Sequence, residues 1–133
     1  MSKNILIVDD SDVIRRSLRN LLSRNHDWTI CAEAANGREA VQKARECRPD
    51  LVVLDFAMPI MNGLEVASEL KQVHPTLPIV MLTVFKDRFL EEQAYKAGVT
   101  WVLSKEDEMS KVMDFARILL RPVVTSASAG VTN

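Results

Sequence analysis

The chain has 133 residues, room for one domain and little of a second. Hydrophobic residues make up 47% and charged residues 26%, the balance of a globular protein with one sizeable core, which excludes a disordered chain. With 17 basic against 18 acidic residues the formal net charge is −1, so the domain-wide basic field of a nucleic-acid binder is absent.

No apolar run reaches the length needed to cross a bilayer, and the opening MSKNILIVDD lacks the pattern of a signal peptide. A cytoplasmic protein without membrane contact is expected. Cys31 and Cys47 stand outside any CxxC motif. In the cytosol they are expected as reduced, partly buried thiols, although their spacing alone leaves a disulfide open.

Strand and helix patterns alternate along the chain. Residues 4–8 (NILIV) form a short apolar run suited to a strand buried on both faces. Residues 12–24 place Val13, Ile14, Leu18, Leu21 and Leu22 at helical spacing with arginines between them. Residues 28–35 (WTICAEAA) predict a second strand, after which Asn36-Gly37 opens a helix carrying Ala40, Val41 and Ala44 that ends before Pro49. Residues 50–56 (DLVVLDF) are the most strand-like segment, MPIMNG breaks it, and residues 64–73 resume helical periodicity.

Pro75 and Pro78 bracket a turn into residues 79–83 (IVMLT), a fourth strand. Residues 86–97 predict a helix ending at Gly98, with Phe89, Leu90 and Ala94 over the core. Residues 99–104 (VTWVLS) predict a fifth strand, and a last helix runs from Glu106 through Met109, Val112, Met113 and Ala116. Five β/α units imply an α/β fold with a parallel sheet and helices on both faces. The small, polar stretch 122–133 reads as a flexible tail or the start of a linker, leaving residues 1–121 as the domain.

In an open parallel sheet, ligands bind outside the carboxyl ends of the strands. Those ends carry Asp9 and Asp10, Asp55, Thr83, and Ser104-Lys105. Clustered carboxylates repel one another and call for a hard divalent cation such as Mg²⁺; Lys105 adds a second positive charge. Such a site suits a phosphoryl group, whose transfer depends on neutralising its charge. Asp55, between the acidic pair and the Thr83–Lys105 side, is the expected nucleophile, forming an acyl phosphate.

Taken singly, Asp9 and Asp10 also fit helix caps, with Ser11 or Asp12 as the other candidates. Thr83 alone is an ordinary strand residue and Lys105 an ordinary surface cation. It is the five together that make a site. His26 and His74 lie in predicted turns without a partner at metal spacing, and receive no role.

The set Asp9, Asp10, Asp55, Thr83 and Lys105, with the strings ILIVDD, PDLVVLDFAMPIMNGLE, PIVMLT and AGVTWVLSK, resembles the receiver domains of two-component response regulators up to about Leu120. The resemblance implies a doubly wound, flavodoxin-like (βα)5 fold with strand order 2-1-3-4-5, an order taken from the chemotaxis member that commonly illustrates it. It implies that Asp55 is the phosphoacceptor, with Asp9, Asp10, Asp55 and the Ala57 carbonyl around Mg²⁺ and with Thr83 and Lys105 on the phosphoryl oxygens. The implied donor is a sensor histidine kinase, a phosphotransfer protein or a small molecule such as acetyl phosphate. Downstream stand an effector protein or output domain and a phosphorylation-dependent homodimer, without direct nucleic-acid binding by this chain. The implied protein is a signalling switch that assists its own phosphorylation and dephosphorylation.

Three positions depart from the family pattern. Val84 follows Thr83 where a small residue is usual. Val102, beside Trp101, stands where an aromatic switch residue is frequent, leaving Phe85 or Trp101 for part of that role. Glu106 follows Lys105 in place of a frequent proline, so a trans peptide bond is expected there. Three other readings compete with this one. A phosphatase would want a second acid at Ala57. A flavin or nucleotide carrier would need a Gly-rich loop. A degenerate receiver would act by binding partners without phosphorylation.

Overall fold

A computed structural model describes residues 2–122. Five parallel strands, β1 (Lys3–Val8), β2 (Trp28–Ala34), β3 (Leu51–Asp55), β4 (Ile79–Thr83) and β5 (Trp101–Ser104), form one sheet in the order β2-β1-β3-β4-β5. Between and after them run α1 (Asp12–Leu22), α2 (Gly37–Cys47), α3 (Gly63–Val73), α4 (Arg88–Lys96) and α5 (Lys111–Leu119). This is the flavodoxin-like fold expected from the sequence. Of the expected tail at residues 122–133, all but Pro122 lies outside the described residues.

Strands β3 and β4 and the second half of β1 are buried on both faces, and they are apolar up to Asp55 and Thr83 at their carboxyl ends. Leu6, Val8, Val52, Leu54, Ile79, Met81 and Val102 face a core closed by residues of α2, α3 and α4. Their neighbours Ile5, Ile7, Leu51, Val53, Val80, Leu82 and Leu103 face the opposite core, under α1 and α5. With a side-chain period of two, alternate residues serve alternate layers.

Capping side chains start four of the five helices. Ser11, Asn36, Asn62 and Asp87 cap α1 to α4, and Asn62 with Glu65 makes a reciprocal capping box. The cap of α1 is thus Ser11, which leaves both acidic residues before it free for other work. Gly63 is required by a close approach: a Cβ there would stand 2.7 Å from the carbonyl oxygen of Asp55.

Several boundaries differ from the sequence reading. Helix α1 ends at Leu22, with Ser23 as its C-cap, and α4 starts only at Arg88, behind its Asp87 cap. Within α4, Leu90 and Ala94 are buried as expected, but Phe89 is exposed to 71% and does not cover the core. Strand β5 begins at Trp101, because the Val99 amide donates to the Ala94 carbonyl in the turn around Gly98, whose φ is +99°. Helix α5 begins at Lys111, not Glu106, because Ser104 gathers the intervening residues into a turn. Its hydroxyl accepts from the amides of Glu106 and Asp107, and its carbonyl accepts from that of Glu108. Every described peptide bond is trans, including that from Lys105 to Glu106.

On the edge strand, the pairing of β1 with β2 slips between Ile5 and Leu6, so the partners jump from Ile30 to Ala32 and Cys31 bulges out of register. Cys31 is disulfide-bonded to Cys47 at the end of α2, with a Cα–Cα distance of 6.1 Å. This replaces the expected pair of reduced thiols. Two residues 16 apart in sequence are brought together by the β2–α2 turn.

Candidate functional site

The carboxyl ends of β1, β3, β4 and β5 converge, as the topology requires, and bring Asp9, Asp10, Asp55 and Lys105 into one cluster, with Thr83 at the end of the neighbouring strand β4. Asp9 and Asp55 are buried, 0% and 3% exposed, whereas Asp10 faces solvent. One carboxylate oxygen from each of Asp9, Asp10 and Asp55 lies within 4.8 Å of the others. The Lys105 ammonium stands 2.8 Å from Asp9 Oδ2 and 3.0 Å from Asp55 Oδ1, bridging the two buried acids.

The backbone fixes these groups. Asp9 Oδ1 accepts from the Ser11 amide at 2.9 Å, and the Asp9 carbonyl accepts from Arg15 Nη1 at 2.6 Å. Arg15 in turn pairs with Asp12 and with Glu33 on β2. The sequence reading had not singled out Arg15; its only mark there was its place one turn into the helix behind the acidic pair. Asp55 Oδ1 accepts a long bond, 3.4 Å, from the Ala57 amide. Thr83 Oγ1 accepts from the Phe85 amide at 2.9 Å, which leaves its own proton free to donate.

Electrostatics set the protonation states. Burial is the largest influence on Asp55 and pushes its carboxyl from 3.8 up to about 6; the Lys105 hydrogen bond opposes the rise and the Asp9 charge adds to it. For Lys105, burial works against the charge. Hydrogen bonds and attraction from Asp9 and Asp55 outweigh it and hold the ammonium above the ordinary lysine value.

Apart from the Lys105 ammonium, Asp9 Oδ2 has no partner although it is fully buried. Three acids around one ammonium leave the cluster short of positive charge unless a cation completes it. The residues present therefore fit a hard metal ion, and the acidic cluster could hold one.

Around this centre two of the departures, Val84 and Val102, have definite places, as have the aromatic residues beside them. Val84 is about half exposed and Phe85 is 62% exposed. Val102 is buried in the core on the α4 side. Trp101 lies against Phe115 of α5, with ring centroids 4.2 Å apart.

A doubly wound sheet with an acidic cluster and a lysine at its carboxyl edge defines a class, and comparison with known proteins names it. The family model of the response regulator receiver domain matches residues 5–117, and the chain belongs to that family. It is 36% identical over 127 residues to the transcriptional regulatory protein LnrK of Bacillus subtilis, covering 96% of this chain and 54% of that protein. To the chemotaxis protein CheY of Thermotoga maritima it is 33% identical over 114 residues, covering 86% of this chain and 94% of CheY. A solved CheX–CheY–BeF3–Mg²⁺ complex from Borrelia burgdorferi superposes with a TM-score of 0.82 at 25% identity, over 90% of each chain. The chain thus spans about half the length of the transcriptional regulator and nearly all of the chemotaxis protein.

Proposed function

We propose that this chain is a phosphorylation switch in which Asp55 accepts a phosphoryl group in the presence of Mg²⁺. The observation that supports this most directly is the buried Asp55 carboxylate at the end of a central strand, 3.0 Å from the Lys105 ammonium and beside two other acids. Asp9, Asp10 and Asp55, with the Ala57 carbonyl, are the residues that would hold the metal. When bound, the ion supplies neutralisation of the phosphoryl oxygens.

The chain's own residues do the rest. An Asp55 oxygen attacks phosphorus while the phosphorus–nitrogen bond of a donor phosphohistidine breaks, the imidazole keeping the bonding electron pair. Lys105 leaves its carboxylate partners to pair with one phosphoryl oxygen, and the free Thr83 proton donates to another. The donor is a sensor histidine kinase or phosphotransfer protein in the cytoplasm, or a small acyl phosphate.

The acquired group brings roughly two negative charges and several acceptor oxygens. Movement of Thr83 and Lys105 toward it shifts the loops after β4 and β5. The exposed surface of α4, β5 and α5 then favours a different effector, output domain or second copy of the chain. The protein acts on itself, assisting phosphorylation and dephosphorylation of Asp55.

The test is intact mass after incubation with acetyl phosphate and Mg²⁺. The wild-type chain should gain one phosphoryl group, dependent on Mg²⁺, and Asp55→Asn should gain none. An equal gain in the variant would remove Asp55 from the role.

A further inference from the structure

We infer that Glu108 is a positioning residue, which through Lys86 ties the loop that carries Thr83 to the loop that carries Lys105. The inference rests on the proposed function, because it assigns these two residues a task in the phosphorylation of Asp55.

Strands β4 and β5 end together, with the Lys105 amide donating to the Thr83 carbonyl at 2.9 Å. Beyond that rung no backbone hydrogen bond joins residues 84–87 to residues 105–110 among the described residues. What crosses the gap is a side-chain pair. Lys86, three residues after Thr83, reaches Glu108, three residues after Lys105, with Nζ 2.5 Å from Oε1.

This pair differs from an ordinary surface ion pair in its anchorage. Glu108 Oε1 also accepts from the Ser104 amide at 3.0 Å, so the carboxylate is turned back onto the end of β5 and cannot swing freely. Oε2 meets Lys111 Nζ at 3.2 Å. Lys86 sits on an exposed loop and Glu108 is partly exposed, so the pair lies at the surface and its hold comes from the Ser104 anchorage. The Lys86 hydrogen bond, then that of the Ser104 amide, lowers the Glu108 carboxyl from 4.5 to about 2, so the pair stays charged throughout the neutral range.

The consequence is geometric. Thr83 and Lys105 must address two oxygens of one phosphoryl group, and small errors in placement lower rate steeply. A link three residues beyond each of them holds the two loops at one spacing and makes them move as a unit. Neither Lys86 nor Glu108 touches the reacting atoms; each acts through the backbone that follows Thr83 or Lys105.

The experiment compares initial rates of Asp55 phosphorylation from acetyl phosphate and Mg²⁺ in the full chain and in Lys86→Met, Lys86→Arg, Glu108→Gln and the Met/Gln double variant. Each of Lys86→Met and Glu108→Gln should slow the reaction about three- to fivefold, the scale of one partly covered ion pair. The double variant should be no slower than either single, as for two ends of one contact. Lys86→Arg should restore the rate. Melting temperature and Mg²⁺ affinity, which a merely structural role or a disturbed metal site would change in step with rate, should stay near wild type. Unchanged rates in both single variants, or losses that multiply in the double, would overturn the clamp alone. A wild-type chain that takes up no phosphoryl group would overturn the proposed function and the clamp with it.

Discussion

The two ends of the sheet use aspartate in opposite ways. At the amino end Asp50 bonds to backbone: its Oδ2 accepts from the Asn4 amide at 2.7 Å while its own amide donates to the Asn4 carbonyl at 2.7 Å. At the carboxyl end Asp9 keeps an oxygen with no partner but an ammonium, and Asp55 shares that same ammonium. One end spends its carboxylate on pinning β1 to β3. The other holds charge in a state that a cation and a phosphoryl group could relieve. The difference is one of satisfaction rather than residue type, and it separates a structural acid from a reactive one.

The comparison breaks most visibly at Lys105. Lys105→Met removes the ammonium that bridges the two buried carboxylates. Stability at pH 7 should fall by about 3 kcal/mol, as when one partner of a buried pair is lost. Urea unfolding checks this, and acetyl phosphate should no longer load Asp55.

The next effect is a gain. With its carboxyl raised to about 6 from 3.8, Asp55 binds its proton more tightly in the folded chain than in the unfolded one. Its contribution is full below the unfolded value and is lost as pH rises through about 6. In metal-free buffer the wild-type chain should lose stability between pH 4 and pH 6 by an amount on the order of 2 kcal/mol. Asp55→Asn should flatten that slope and melt higher at pH 7. A variant that keeps the slope would show that another group titrates there.

The smallest effect sharpens the contrast from the other end. Asp50→Ala leaves the Asn4 amide without its acceptor and should cost about 1–2 kcal/mol. Its rate of phosphorylation should match the wild type. A slowed rate would mean that the two ends are not independent.

Much of this was legible in the sequence, for identifiable reasons. Strands buried on both faces write themselves as unbroken apolar runs, so NILIV, DLVVLDF and IVMLT lie within a residue at each end of the observed strands. The site was legible because a parallel sheet delivers every strand end to one edge, so reading Asp9, Asp55, Thr83 and Lys105 needed only strand boundaries. What escaped depends on side chains folding back against the period of their segment. Glu108 turns toward Ser104 and, with the Ser104 hydroxyl, delays α5 to Lys111, which no helical periodicity announces. The register slip at Cys31 is also unannounced by the alternation of its strand. The unequal exposure of Asp9 and Asp10 is likewise a matter of where β1 stops.

That slip has a bearing on how the molecule keeps to itself. The free edge of β2 is one of only two places where the described sheet offers unpaired backbone to a neighbour. An out-of-register residue bends and twists such an edge, and a flat, regular strand is what another chain needs in order to add on. With Cys31 displaced in the middle of β2, the outer margin is a poor template for sheet-to-sheet growth.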